Sequence, residues 1–280
     1  MNLFQNRIAV IVTKHGKGDV MRPLLEQSLQ VKCYVSNDFD TDAYGTFSGE
    51  ITRKEDALTT LRKKCLAAME YYKCDLAFAS EGSFGPHPTA FFSTSDDELV
   101  ILIDLKYNME IVGRKVSLET NFGAKEILDV ATFLEYLELV QFPSHKIIIK
   151  SSEEKPIEII KDISNKKEAI QVFERFLKKY QSVYVETDMR AMNNPTRLKV
   201  IKEATQNLIE KVQSSCDKCN FPGFSATESV SGLPCSCCNS PTKSVLYTIM
   251  TCSKCNYTEN KYFPRNLKFE EPMFCDTCNP

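Results

Sequence analysis

Between Arg7 and Val212 the chain switches repeatedly between short apolar runs and longer stretches in which apolar residues recur every three or four positions. The run at 7–12 predicts a buried strand, and 19–29 predicts a helix capped by Asp19 with Pro23 near its first turn. Over 55–72, Leu58, Leu61, Cys65, Ala68, Met69 and Tyr72 fall on one helical face. Strands are expected at 76–79 and 99–103, a helix at 127–140, strands at 146–149 and 157–160, a helix at 167–180 and a strand at 182–186. Asn194 and Pro195 then supply an N-cap and a first helical residue whose missing N–H costs nothing, opening a helix that runs to about Val212.

Strands separated by helices predict an α/β domain over 1–213, with a mixed or mainly parallel sheet and helices on both faces, because crossover connections deposit helices there. From Ser214 the pattern breaks into a cysteine-rich tail, 214–280. A length of 280 residues suits one full-sized domain and a small appendage. With 35 basic against 37 acidic side chains, no global charge pulls the protein toward nucleic acid or an anionic membrane. The uncharged apolar runs at 8–13 and 99–103 fall far short of the ~20 residues of a membrane span. Residues 1–6 lack the basic start of a signal peptide, so the expected location is the cytoplasm.

Nine of the 12 cysteines lie from Cys216 onward, and eight of those nine form C-x-x-C pairs: Cys216 and Cys219, Cys235 and Cys238, Cys252 and Cys255, Cys275 and Cys278. Paired thiolates two residues apart can present both sulfurs to one tetrahedral ion, which predicts two structural zinc sites in a zinc-ribbon-like module. The spacers of 15 and 19 residues inside each successive couple of pairs favour sequential pairing, first with second and third with fourth, over a cross-braced arrangement. Closed all-cysteine sites leave no coordination position for substrate, so zinc here replaces a core too small to stand alone. Cys237 is left over. Basic residues and aromatics interleave from Lys243 to Phe269, but Glu259, Glu270, Glu271 and Asp276 dilute any nucleic-acid face.

Candidate chemistry in the larger domain lies in four polar stretches. Thr13 to Gly18, with His15 and Lys17, runs from a strand into a helix, where backbone N–H groups and a lysine can cradle phosphate. Asp40, Asp42 and Glu50 lie among glycines and can offer oxygens to magnesium. Ser80, Glu81, Ser83 and His87 follow an apolar strand, where open α/β sheets place their ligands. Asp188, Arg190 and Arg197 flank another strand end, where the arginines can fork onto a carboxylate or phosphate, or Glu186 or Asp188 can pair with Arg190 or Arg197 as a structural clasp.

Thr13 with Lys17, Gly45-Thr46-Phe47 and Ser80-Glu81-Gly82 together resemble inosine triphosphatase-like nucleotide pyrophosphatases over about 7–115. The whole chain, with Gly232-Leu233-Pro234-Cys235 and the terminal Cys275 to Pro280, resembles a bacterial domain family of unknown function. The pyrophosphatase resemblance implies a magnesium-dependent hydrolase acting on a nucleotide or other phosphorylated small molecule, with Lys17 on phosphate and Glu81 and Glu50 on the metal. Lys14 and His15 stand where that family's asparagine is usual. The alternative is a non-catalytic sensor of a small ligand that uses its zinc module to dock protein or RNA.

Overall fold

The computed structural model describes residues 3–36, 38, 39, 56–87 and 92–279, which divide into two compact units, Met1–Leu208 and Ile209–Pro280. In the first unit β1 (Ile8–Val12), β2 (Lys32–Val35) and β3 (Leu76–Pro86) are parallel, linked through α1 (Lys17–Leu29) and α2 (Ala57–Tyr72). β4 (Thr94–Asp104) and β5 (Met109–Ser117) fold back antiparallel and complete a mixed sheet in the order β2-β1-β3-β4-β5. Helical crossovers force parallel neighbours, whereas the short β4–β5 turn permits only an antiparallel one.

A second sheet, ordered β6-β9-β7-β8, is wholly antiparallel: β6 (Ala124–Ile127), β9 (Val183–Thr187), β7 (Ile147–Lys150) and β8 (Ile159–Ile160). It shares one apolar core with α3 (Val130–Leu139) and α4 (Lys166–Tyr180), where Phe133 and Phe173 stack at 4.1 Å. α5 (Pro195–Gln213) is capped by Asn194, whose Oδ1 accepts from the Arg197 N–H at 3.0 Å. Its Ala204 and Leu208 press on β5 at Gly113, where an added Cβ would lie 2.5 Å from helix backbone atoms.

Several elements depart from the sequence expectation. β3 does not end at Ala79 but continues to Pro86, and β4 starts at Thr94 instead of Leu99. The two polar ends satisfy each other's backbone, from Ser80 opposite Val100 to Pro86 opposite Thr94. The expected ligand loop at 80–86 is therefore strand, and its side chains alternate between two faces. α1 begins at Lys17 after a left-handed Gly16 (φ 78°), so Asp19 is not its cap and Pro23 lies inside the helix. The helix expected at 127–140 divides into β6 and α3, because Asp129 caps α3 through the Thr132 N–H and Ile127 pairs with Val183 in the sheet.

In the second unit β10 (Ser225–Ser231), β11 (Val245–Thr251) and β12 (Thr258–Tyr262) form an antiparallel sheet. Four of its buried side chains are Cys216, Cys235, Cys252 and Cys275, beside Phe221, Phe224 and Leu233. Among the described residues no helix is long and apolar enough to cross a membrane.

Candidate functional site

Strand register decides which polar side chains of the α/β unit meet. Val12 is level with Ala79, Gly82 with Glu98 and Phe84 with Asp96. Alternation then sets Thr13, Ser80, Glu98 and Asp96 on one face of the sheet and Glu81 on the other. On the first face the Lys17 ammonium donates to Glu98 Oε2 at 3.2 Å, and Arg197 Nε donates to Glu98 Oε1 at 2.6 Å. Arg197 Nη1 also donates to the Met189 carbonyl, and its guanidinium lies 5.2 Å over the Phe84 ring. Lys17, Glu98 and Arg197 are all buried.

Gly82 makes room for this cluster: a Cβ there would lie 2.1 Å from Glu98 Oε1. Gly16 brings the β1–α1 loop to it, because the His15 carbonyl, in a left-handed residue, accepts from Met192 N–H at 2.8 Å. The loop before α1 is thereby joined to the turn before α5, and the two cations converge on one carboxylate.

Asp96 is the unusual member. It is 1% exposed, and among the described residues neither of its oxygens has a hydrogen-bond partner; the same holds for Thr13 Oγ1 and Ser80 Oγ. Burial and then the neighbouring Glu98 charge push its carboxyl up to about 7, against the pull of Arg197 and Lys17. Burial alone would also raise Glu98, but the Arg197 and Lys17 charges overcome it and hold that carboxyl below its ordinary value. Burial pushes the Lys17 ammonium down to about 8 despite Glu98. A buried ion triad costs desolvation that its own attraction only partly offsets, and a bare carboxylate beside it adds to that cost. Such an arrangement suits a site that completes itself with a cation or an anionic ligand.

Of the residues singled out in the sequence, Lys17, Arg197, Thr13 and Ser80 come together here. Glu81 does not join them: it faces α2 and pairs with the buried Lys64, although its charge is still felt at Lys17. Ser83 is exposed, and His87 is held by its backbone N–H on the Ser93 carbonyl. Asp188 and Arg190 form the clasp, Arg190 Nε and Nη2 donating to Asp188 and Nη2 also to Asp162 at 2.6 Å, with Asn193 on Asp188 at 2.8 Å. Asp40, Asp42 and Glu50 lie outside the described residues. Asp96 and Glu98 escaped the sequence reading because 95–98 looks like a polar lead-in to an apolar strand. Starting that strand earlier would have aligned Asp96, Glu98, Val100 and Leu102 at every second position.

The cysteines form two four-thiol sets, and the pairing is cross-braced: Cys216, Cys219, Cys252 and Cys255 in one, Cys235, Cys238, Cys275 and Cys278 in the other. The expected sequential pairing fails for a topological reason. Ser225 pairs with Thr251 at one end of the sheet and Ser231 with Val245 at the other. The first knuckle and the β11–β12 knuckle therefore share one end, and the remaining two share the opposite end. A seven-residue strand is about 24 Å long, too far for one ion to span.

Sulfur separations of 3.7 Å (Cys216 to Cys255), 3.6 Å (Cys219 to Cys252), 3.8 Å (Cys235 to Cys278) and 3.6 Å (Cys238 to Cys275) suit a metal. They approximate the edge, about 3.8 Å, of a tetrahedron with 2.3 Å metal–sulfur bonds. Both sets can hold metal ions. Each knuckle is followed by asparagine, and Asn220, Asn239, Asn256 and Asn279 donate backbone N–H groups to the carbonyls of Cys216, Cys235, Cys252 and Cys275. Asn220, Asn239 and Asn256 have φ of 54°, 59° and 57°, a left-handed region that asparagine tolerates. In the first set Lys218 lies over the Tyr257 ring and Lys254 over the Phe221 ring, each at 5.2 Å, a two-fold exchange of cations. Cys237 stays outside both sets, its backbone N–H donating to Cys235 Sγ.

Fold and sites define a mixed α/β protein with a paired four-cysteine module. Residues 64–280 match the family described as a domain of unknown function, DUF6671, and the chain belongs to that family. No curated protein matches the chain.

Proposed function

We propose that the α/β unit is a magnesium-dependent hydrolase acting on a nucleotide or other phosphorylated small molecule, and that both cysteine sets hold structural zinc in a zinc-ribbon-like module. The observation that carries the enzymatic reading is the meeting of Lys17, Arg197 and Glu98 beside Asp96, a buried carboxylate whose oxygens have no partner among the described residues.

Asp96 fits a magnesium ion of the kind bound by one or two carboxylates with the remaining ligands from water and phosphate. Glu98 does not fit as a ligand, because both its oxygens are engaged by Lys17 and Arg197. Bound there, the metal would polarise phosphoryl oxygens. Lys17 opens α1, so its ammonium and the helix N-terminus offer positive charge to the same phosphate. Arg197 would offer its remaining guanidinium nitrogen, Nη2, and Glu98 holds both cations in place against their mutual repulsion. The Thr13 hydroxyl, just past β1, and the Ser80 hydroxyl, within β3, can donate to ligand oxygens.

Non-catalytic ligand binding is the second reading, favoured by the pairing of both Lys17 and Arg197 with Glu98. Purified full-length protein assayed with magnesium against a nucleotide and sugar-phosphate panel separates the two, with Asp96→Asn in parallel. The hydrolase reading expects turnover of at least one phosphate ester and a loss of 100-fold or more in kcat in the folded variant, about 2.7 kcal/mol of barrier. No turnover, or equal turnover by Asp96→Asn, would overturn it.

A further inference from the structure

A small cavity of about 170 Å³ lies against the ion cluster, within the same unit. Phe84, Phe122, Gly123, Ala124, Tyr184 and Met189 form much of its wall. Two of these residues belong to the ion cluster as well. Phe84 carries the Arg197 guanidinium on its ring and lies opposite Asp96 in the β3–β4 ladder, and the Met189 carbonyl accepts from Arg197 Nη1. Phe84 and Phe122 stack in parallel, with ring centroids 5.2 Å apart and planes at 17°. The lining also includes Lys161, the Asp188–Arg190 clasp and Glu186, the last paired with Lys150 at 2.7 Å.

Size and lining narrow the occupant. The volume is below that of a pocket for a drug-sized molecule and admits a single ring system. The three aromatic rings of the wall, Phe84, Phe122 and Tyr184, favour a flat π-face, and the charged side chains of the lining can meet the polar edge of a heteroaromatic ring. Phe84 and Met189 touch both the cavity and Arg197, so such a ring would lie beside the cations proposed to meet phosphate.

We propose that this cavity is a subsite for a planar heteroaromatic ring, so that the phosphorylated ligand of the α/β unit carries a nucleobase-like group packed against Phe122. The proposal takes its orientation from the phosphate reading above, but the subsite can be tested without it.

The test uses the full-length protein with magnesium and isothermal titration of four ribonucleoside monophosphates, ribose 5-phosphate, pyrophosphate and the free nucleosides. At least one nucleotide should bind ten-fold or more tightly than ribose 5-phosphate. Phe122→Ala, at a half-exposed position where folding is spared, should remove that advantage and leave ribose 5-phosphate within two-fold of its original affinity. Ala124→Leu, which fills the cavity instead of opening it, should do the same. Nucleotides no tighter than ribose 5-phosphate, or an advantage that survives both variants, would overturn the subsite. If neither ribose 5-phosphate nor pyrophosphate binds, the phosphate reading fails. The subsite then stands only if a free nucleoside binds and Phe122→Ala weakens it ten-fold, and otherwise falls too.

Discussion

In the cysteine unit every expected metal ligand has another ligand three positions away, whereas the ion cluster of the α/β unit draws Lys17, Glu98 and Arg197 from α1, β4 and α5. The first arrangement uses a residue type that, repeated at that spacing, is suited to little besides metal binding. The second uses residue types that occur on every protein surface and become a site only when the fold buries them together. Metal-ligand chemistry can therefore be local in the chain, while charge clusters depend on long-range register. The energetic roles differ in the same way. Metal held by the thiols of the small unit would stand in for a hydrophobic core. The triad of the large unit sits beside an ample core and adds to its cost.

The largest expected effect sharpens the local side of this comparison. Each cysteine set should contribute on the order of 10 kcal/mol through its metal, as structural zinc sites do. Native mass spectrometry should count two ions per chain in wild type and one in the double variant Cys216→Ser/Cys252→Ser. Sequential pairing would instead strip both ions from that variant.

Next comes the long-range side. Glu98→Ala leaves Lys17 and Arg197 buried without their counter-ion and should destabilise the protein by about 3–5 kcal/mol in urea unfolding. A loss under about 1 kcal/mol would mean that the cations escape to solvent and that Glu98 does not hold the cluster together.

Gly82→Ala probes the same carboxylate sterically. Its methyl group would meet Glu98 Oε1 at 2.1 Å, and the shift required should cost about 1–3 kcal/mol. Adding Glu98→Ala should make the glycine substitution nearly neutral, a coupling that two independent sites could not show.

The smallest effect is the pH dependence of Asp96. Its carboxyl keeps a proton up to about 7 in the folded state, against about 3.9 in an unfolded chain. The folded protein thus binds that proton more tightly, and the stability contribution is complete below about pH 3.9 and is lost as pH rises through 7. Asp96→Asn removes that charge but leaves an amide without partners at the same place, so the two effects oppose each other. The net change in stability of the magnesium-free protein at pH 8 should be small, while its pH dependence between 5 and 8 should flatten. An identical slope in both proteins would remove Asp96 from the titrating group.

Legibility followed periodicity and failed where polarity masked it. The helical faces at Leu58 to Tyr72 and Ile170 to Tyr180 read directly, since apolar spacing of three and four survives any tertiary context. The polar ends of β3 and β4 did not, because Ser, Glu and Gly at 80–82 resemble a loop until a partner strand supplies hydrogen bonds. Lys17 and Arg197 were singled out separately, for phosphate and for a clasp, and nothing along the chain showed that they share Glu98. The C-x-x-C-N repeat was available in all four knuckles, yet identical knuckles cannot say which two share an ion.

By residue type and spacing alone, the chain determined its alternation of strands and helices, the eight thiols able to bind metal and the absence of a strong net charge. Tertiary structure decided which knuckles pair, which face Glu81 and Glu98 occupy, and that Asp96 is buried beside two cations. Periodicity is a property of neighbours in sequence, but register, crossover and burial are set by which distant backbone groups satisfy one another, and those choices place each side chain on one face of a sheet or the other.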